Sequence, residues 1–499
     1  MEALKNRYNY LFRSTKGLVL VAIALIALET VFFGMLSGPM AEWGIRDFWV
    51  KLTGMQLEFM EREGRIIMLY HTIAMAVVAI EVYFITGLVK MSPRQRTNIN
   101  ATITVGYITS MIFGMWFAYF GHNYIWHGLF IFGQSLVFFS GVMLAVALWP
   151  WRKEYKLPPD SPYAHTRGGL DLERTAFFLM SVATLGSAIF GAVAGANFGT
   201  QFQVFMAEDI VREPHKTTLQ LAVIGHLHIM LTLIAVALTL IIGRWVDFKG
   251  RLHSWGMWSM IIGAIIITMG VWSVVPYERI AHIIINVGSL PVLLASLFLT
   301  IFTWRKLIRV GLAKKGIPPD KASFGHKLRA MLHDPLPWGA TWQMMYMNAV
   351  VTAVGIYMAI RLDPVIREWP WREERVTLTG HWHILAGIIA TIILLYYADL
   401  AGLKGRARTL FGWTIIIASD MAFAAVTLFT TKRLYVSESA QQPLVNWTMW
   451  VTDVGLFLVL LMLGLLMIWR LIDLFKSNGR WKKELENPEL DVIGKEVEV

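Results

Sequence analysis

The sequence predicts an all-α integral membrane protein of twelve transmembrane helices, arranged as three four-helix repeats about a pseudo-threefold axis. Three observations carry this expectation. Apolar residues gather in long runs; 56% of the 499 residues are hydrophobic and only 16% are charged, whereas a soluble domain carries about 25% charged residues. Basic residues concentrate in alternate loops, the pattern that orients helices across a membrane. Histidines recur at one fixed interval on corresponding helices.

The apolar runs place the spans at roughly 17–37, 66–90, 98–120, 126–149, 174–196, 217–243, 256–275, 280–303, 340–360, 378–400, 407–430 and 445–470. The first, "GLVLVAIALIALETVFFGMLS", is too long for a signal peptide and lacks a small-residue cleavage site, so it reads as a retained helix. Lys5, Arg7, Arg13 and Lys16 precede it. The loop after span 4 holds Arg152, Lys153, Lys156 and Arg167. The loop after span 8 holds Arg305, Lys306, Arg309, Lys314, Lys315, Lys321, Lys327 and Arg329. The tail 472–499 adds Lys476, Arg480, Lys482 and Lys483. The opposite loops, such as "QLEFMEREGR" and "REWPWREERV", mix signs. Both termini are therefore expected in the cytoplasm. The net charge of +11 is a topology signal and does not indicate nucleic-acid binding.

His71, His226 and His381 are evenly spaced at 155 residues, on spans 2, 6 and 10, and the same interval separates His127 from His282 on spans 4 and 8. The third equivalent position is Ser437. "WPWRK", "FTWRK" and "MIWRL" end spans 4, 8 and 12. The chain thus reads as one membrane domain with internal repeats of roughly 15–153, 170–306 and 338–471. Topology puts His71, His226, His228, His381 and His383 in the outer half of the membrane, up to ~15 Å below its surface.

Two motifs, "GHLHIM" and "GHWHIL", place histidines two apart. Residues two apart on an α-helix point about 200° from each other, so one helix can serve ligands on both flanks. A compact metal site on one helix would prefer HxxxH. HxH suits a helix wedged between two large planar groups, and haem is the obvious one, because histidine is the usual axial ligand of b-type haem. With no cysteine in the chain, thiolate haem ligands, iron–sulfur clusters and covalent haem attachment are excluded within it. A lone membrane histidine such as His122, His127 or His282 is more simply a packing or cavity-lining residue.

These features together resemble the catalytic subunit of the haem–copper oxidase superfamily, which includes oxygen reductases and nitric oxide reductases. "GRIIMLYHTIAM" is similar to span 2 of the nitric oxide reductases and C-type oxygen reductases, and "GHWHILAG" to the HxH of span 10. The resemblance implies two b-type haems: His71 and His383 clamping a low-spin haem, and His381 as proximal ligand of the second. It implies that Lys432 and Arg433 in "TKRLYVSESAQQP" hold haem propionates. It further implies a bacterial or archaeal cytoplasmic membrane, a cytochrome c-type or other electron-transfer subunit on the outer side, and a quinol as another possible electron donor.

The chain departs from the family at the second metal. His226 matches one ligand, but the end of span 7 reads "GVWSVVPYERI", with Val274 and Val275 or their neighbours where the family has a His-His pair. Copper or non-haem iron is therefore poorly supported. His228 instead suggests that His226 or His228 reaches the second haem as a distal ligand, or forms part of a residual metal site. Bis-histidine haems transfer electrons but offer no open position to a gas. Glu29, Glu81, Asp420 and Asp453 lie within spans and are candidates for a proton route or for structural carboxyls. The expectation is an electron-transferring haem subunit. The alternatives are a terminal oxygen or nitric oxide reductase, a twelve-helix secondary transporter, and a structural anchor.

Overall fold

A computed structural model describes residues 2–37, 43–57, 62–121, 123–205, 217–361 and 365–486. Among them the regular secondary structure is all helical, and eleven helices are long and apolar enough to cross a membrane. The protein is an integral membrane protein on these grounds. The helices are α1 (Glu2–Arg13), α2 (Thr15–Ser37), α3 (Ile45–Thr53), α4 (Arg62–Leu88), α5 (Pro93–Phe120), α6 (Tyr124–Leu148), α7 (Leu172–Phe205), α8 (Thr218–Trp245) and α9 (Arg251–Trp272). They continue with α10 (Val274–Ala313), α11 (Phe324–Met331), α12 (Pro335–Tyr346), α13 (Thr352–Arg361), α14 (Trp371–Leu400), α15 (Gly405–Thr431), α16 (Glu438–Phe475) and α17 (Arg480–Glu486).

The expected ninth span, 340–360, is the exception. It falls on α12 and α13, joined by a π-helical turn at Met347–Val351. There the backbone N–H of Thr352 bonds the carbonyl of Met347, five residues back, so the α-helical ladder is interrupted and neither α-helix alone reaches spanning length.

The chain divides into two compact units. One comprises residues 1–237, 261–290 and 474–499; the other comprises 238–260 and 291–473. These units are defined by packing, and their bounds are not those of the sequence intervals.

In the first unit, local chemistry starts and stops the helices. Ser92 and Gln95 form a capping box before α5, whose first residue is Pro93. The Asn123 side chain accepts from the backbone of Ile125 and Trp126 to begin α6. α5 and α6 approach closely because a Cβ on Gly133 would stand 2.6 Å from the Ser110 nitrogen, and one on Gly106 would stand 2.8 Å from the Val137 nitrogen. Arg174 is only 2% exposed. Its guanidinium donates to the carbonyls of Lys90 and Ala147 and lies 3.4 Å from the Tyr155 ring centre, closing orphan carbonyls at the ends of α4 and α6. The tail folds back on α1: Glu484 accepts from Tyr10 at 2.9 Å and pairs with Lys16 at 3.5 Å.

In the second unit, Arg408 grips Asp334 through two hydrogen bonds of 2.9 Å and also bonds Asp399. Asp399 accepts from the Trp245 indole as well. Bidentate pairing of this kind fixes α15 against the start of α12 and the end of α14.

Candidate functional site

The first unit brings His71 on α4 beside His226 on α8. Their ring centres are 6.0 Å apart and their planes lie within 13° of parallel. Both side chains are half-buried. The Nδ1 of His226 is 3.0 Å from the Ser187 carbonyl on α7. A carbonyl only accepts, so Nδ1 carries the hydrogen and Nε2 of the neutral ring presents a lone pair, the arrangement that orients metal-binding imidazoles. Ser187 is itself held, because its hydroxyl donates to the Ala183 carbonyl and accepts from the Trp272 indole. The His226 ring lies against Gly191, where a Cβ would come within 2.6 Å of it. Imidazole nitrogens bind metals at ~2.0–2.1 Å, so two imidazoles on opposite sides of one ion have ring centres about 6 Å apart. The His71–His226 separation matches that distance, and because the rings are stacked they would have to turn edge-on to share one ion.

A cavity of about 400 Å³ opens beside these histidines, among α4, α5, α6, α7 and α8, with Met75, Val82, Ile103, Phe138 and Leu185 in its wall. Small-molecule and cofactor sites are mostly of this apolar, concave kind. Glu81 also lines it, ten residues and ~15 Å further along α4 than His71.

The end of α9, where the resembled family carries its His-His pair, packs next to His226. Val271 would stand 3.3 Å from a Cβ on Gly225, and Trp272 lies on Gly186. Valine and tryptophan thus stand beside the helix that carries His226 and the helix that orients it. Among the described residues, no group of three or more His, Asp or Glu side chains is gathered as a metal site.

The two HxH motifs behave alike. His226 and His381 are half-buried, whereas His228 and His383 are exposed, as their angular offset on the helix requires. His381 lies against Gly355 of α13, where a Cβ would stand 2.9 Å from its Cε1. His383, expected to partner His71, belongs to the second unit.

Lys432 and Arg433 converge on a carboxylate of the protein itself. Lys432 is 3% exposed; its Nζ lies 2.5 Å and Arg433 Nε 3.8 Å from Glu373 at the start of α14. The guanidinium of Arg433 also lies over the Trp369 ring.

The carboxyls differ among themselves. Glu29 accepts from the Thr72 hydroxyl, next to His71 in sequence. Asp420 accepts from the Trp342 indole at 2.8 Å and the Gln343 amide at 3.1 Å. Asp453 is exposed on α16. Glu81 is 4% exposed, and its carboxyl has no hydrogen-bond partner among the described residues. His127 is buried and packs on Phe117, His282 is exposed, and His122 lies outside the described residues.

Ser187, Gly191 and Glu373 were not singled out from sequence. A serine that acts through its carbonyl and a glycine that acts by lacking a side chain carry no chemical signature. The available signal was positional: a glycine in the span preceding each HxH motif. No protein-family model, curated protein or solved structure matches the chain.

Proposed function

We propose that this protein is a b-haem-binding respiratory membrane subunit of the haem–copper oxidase type. In this reading it has twelve spans in three repeats, both termini in the cytoplasm, and two haems, and it passes electrons between a quinol or an external cytochrome and a partner subunit. The observation that carries the reading is the His71–His226 pair, 6.0 Å between ring centres, at the wall of an apolar cavity. Haem, when bound, supplies one-electron chemistry at its iron.

The protein's own contribution is positional. The Ser187 carbonyl fixes the His226 tautomer, and Gly191 leaves room for the ring. His71 and His226 form one ligand pair in this assignment, which differs from the His71–His383 pairing implied by family resemblance. His381, seated on Gly355, remains the ligand for a second haem. The apolar end of α9 supports electron transfer over reduction of oxygen or nitric oxide, because Val271 and Trp272 supply no ligand for a second metal.

The test is an absorption spectrum of the purified, reduced protein, before and after carbon monoxide. A Soret band unmoved by carbon monoxide is expected. A shift in about half of the haem would restore gas reduction at one open iron. Absence of haem would remove the reading and favour a transporter, for which the unpartnered Glu81 in a cavity and the interrupted ninth span supply the argument.

A further inference from the structure

The cavity contains more than its histidine end needs. Several of its polar side chains are already satisfied by their own helices. Ser135, Ser140, Ser181 and Thr184 each donate to a carbonyl three or four residues earlier. One is not satisfied. The Glu81 carboxyl is buried at 4% exposure with no partner among the described residues, and the Gln134 side chain on α6 also lines the cavity. A buried carboxyl without a partner costs several kcal/mol in an apolar wall, so its retention at a cavity points to a ligand that completes it.

The route into the cavity restricts the ligand. Phe138, Ile189, Ser135 and Ala192 belong to its lining and are also exposed, Phe138 at 37% and Ile189 at 56%. The mouth is therefore mainly apolar and lies on α6 and α7, both membrane-spanning by length and composition. A molecule entering there comes from the hydrocarbon of the bilayer. It must be uncharged and largely apolar, and must present a hydroxyl to Glu81. Gln134 offers an amide donor and an acceptor to a second oxygen.

We infer that the Glu81 end of this cavity is a binding site for a membrane-dissolved quinol, whose hydroxyl donates to the Glu81 carboxyl. This deepens the proposed function by choosing quinol as the electron donor, and it rests on that reading for its redox meaning. Binding itself does not depend on haem.

The experiment uses the full-length purified protein in detergent. A short-chain quinol, kept reduced, is titrated and its affinity is measured for wild type, Glu81→Gln and Glu81→Leu. Loss of one hydrogen-bond acceptor to a buried hydroxyl should weaken binding about tenfold in Glu81→Leu, with a smaller loss in Glu81→Gln, whose amide oxygen still accepts. Equal affinity in all three would overturn the site. In parallel, a photoreactive azidoquinone should label wild-type peptides from α6 or α7, and excess quinol should suppress the labelling. Labelling elsewhere, or labelling that quinol does not compete, overturns the proposal without any variant having to fold. A haem-containing protein that binds no quinol would end this inference and leave the haem reading standing. Quinol binding without haem would do the reverse.

Discussion

Two carboxyls within apolar spans, one in each unit, show how acidic side chains serve different ends. Asp420 receives hydrogen bonds from Trp342 and Gln343, so its polarity is spent on joining α12 to α15. Glu81 sits in an apolar cavity wall with its carboxyl unpartnered among the described residues. Their position within apolar spans does not distinguish them, and the half-burial of Asp420 against the full burial of Glu81 does not by itself say which has capacity left for a ligand. Hydrogen-bond completion does: a satisfied polar group is structural, whereas an unsatisfied one beside open volume has capacity left for a ligand.

The two HxH motifs give a second contrast. In both, the first histidine rests on a glycine of the preceding helix. In the first unit that helix is α7, and it also supplies the Ser187 carbonyl that orients His226 opposite His71. In the second unit the preceding segment carries the π turn at Met347–Val351, where Asn348 donates to Ser296. Similar local sequence thus stands in two different helical settings.

The strongest way to break these contrasts is to remove the ligands. His71→Ala and His226→Ala should each abolish the same portion of Soret absorbance, about half, while His381→Ala removes the remainder. If the first two variants affect different haems, the pairing is wrong. A smaller effect separates the carboxyls. Asp420→Ala should lower stability by about 2–4 kcal/mol, because the Trp342 and Gln343 donors lose their acceptor. Glu81→Gln should change it by less than about 1 kcal/mol. Thermal unfolding in detergent measures both, and equal losses would erase the distinction.

The glycines test the histidine settings. Gly191→Ala should crowd His226 and cost about 1–3 kcal/mol or displace the ring, seen as reduced haem content. Gly355→Ala should do less to His381, since its Cβ contact is 2.9 Å against 2.6 Å. A larger effect at Gly355 would reverse the ranking. The smallest change is expected from Ser187→Ala. It removes the acceptor of the Trp272 indole at about 0.5–1.5 kcal/mol but keeps the carbonyl that holds His226, so the haem spectrum should not move.

Much of the architecture was legible in the residues. The apolar runs locate eleven helices, and the expected ninth span falls on α12 and α13, joined by a π turn that depends on backbone bonding and that hydropathy does not register. His226, His381 and Glu81 were visible as polar groups out of place in hydrocarbon. Lys432 and Arg433 were visible as a cation pair, but not their carboxylate, Glu373, about sixty residues earlier.

Membrane insertion, helix location and the 155-residue recurrence of histidine are written in the sequence itself, because a span is a property of about twenty consecutive residues. The meeting of His71 with His226, the hold of Ser187 on one tautomer, and the isolation of Glu81 at a cavity were decided by tertiary structure. Each joins or separates groups far apart in the chain, and helix packing alone sets which faces meet.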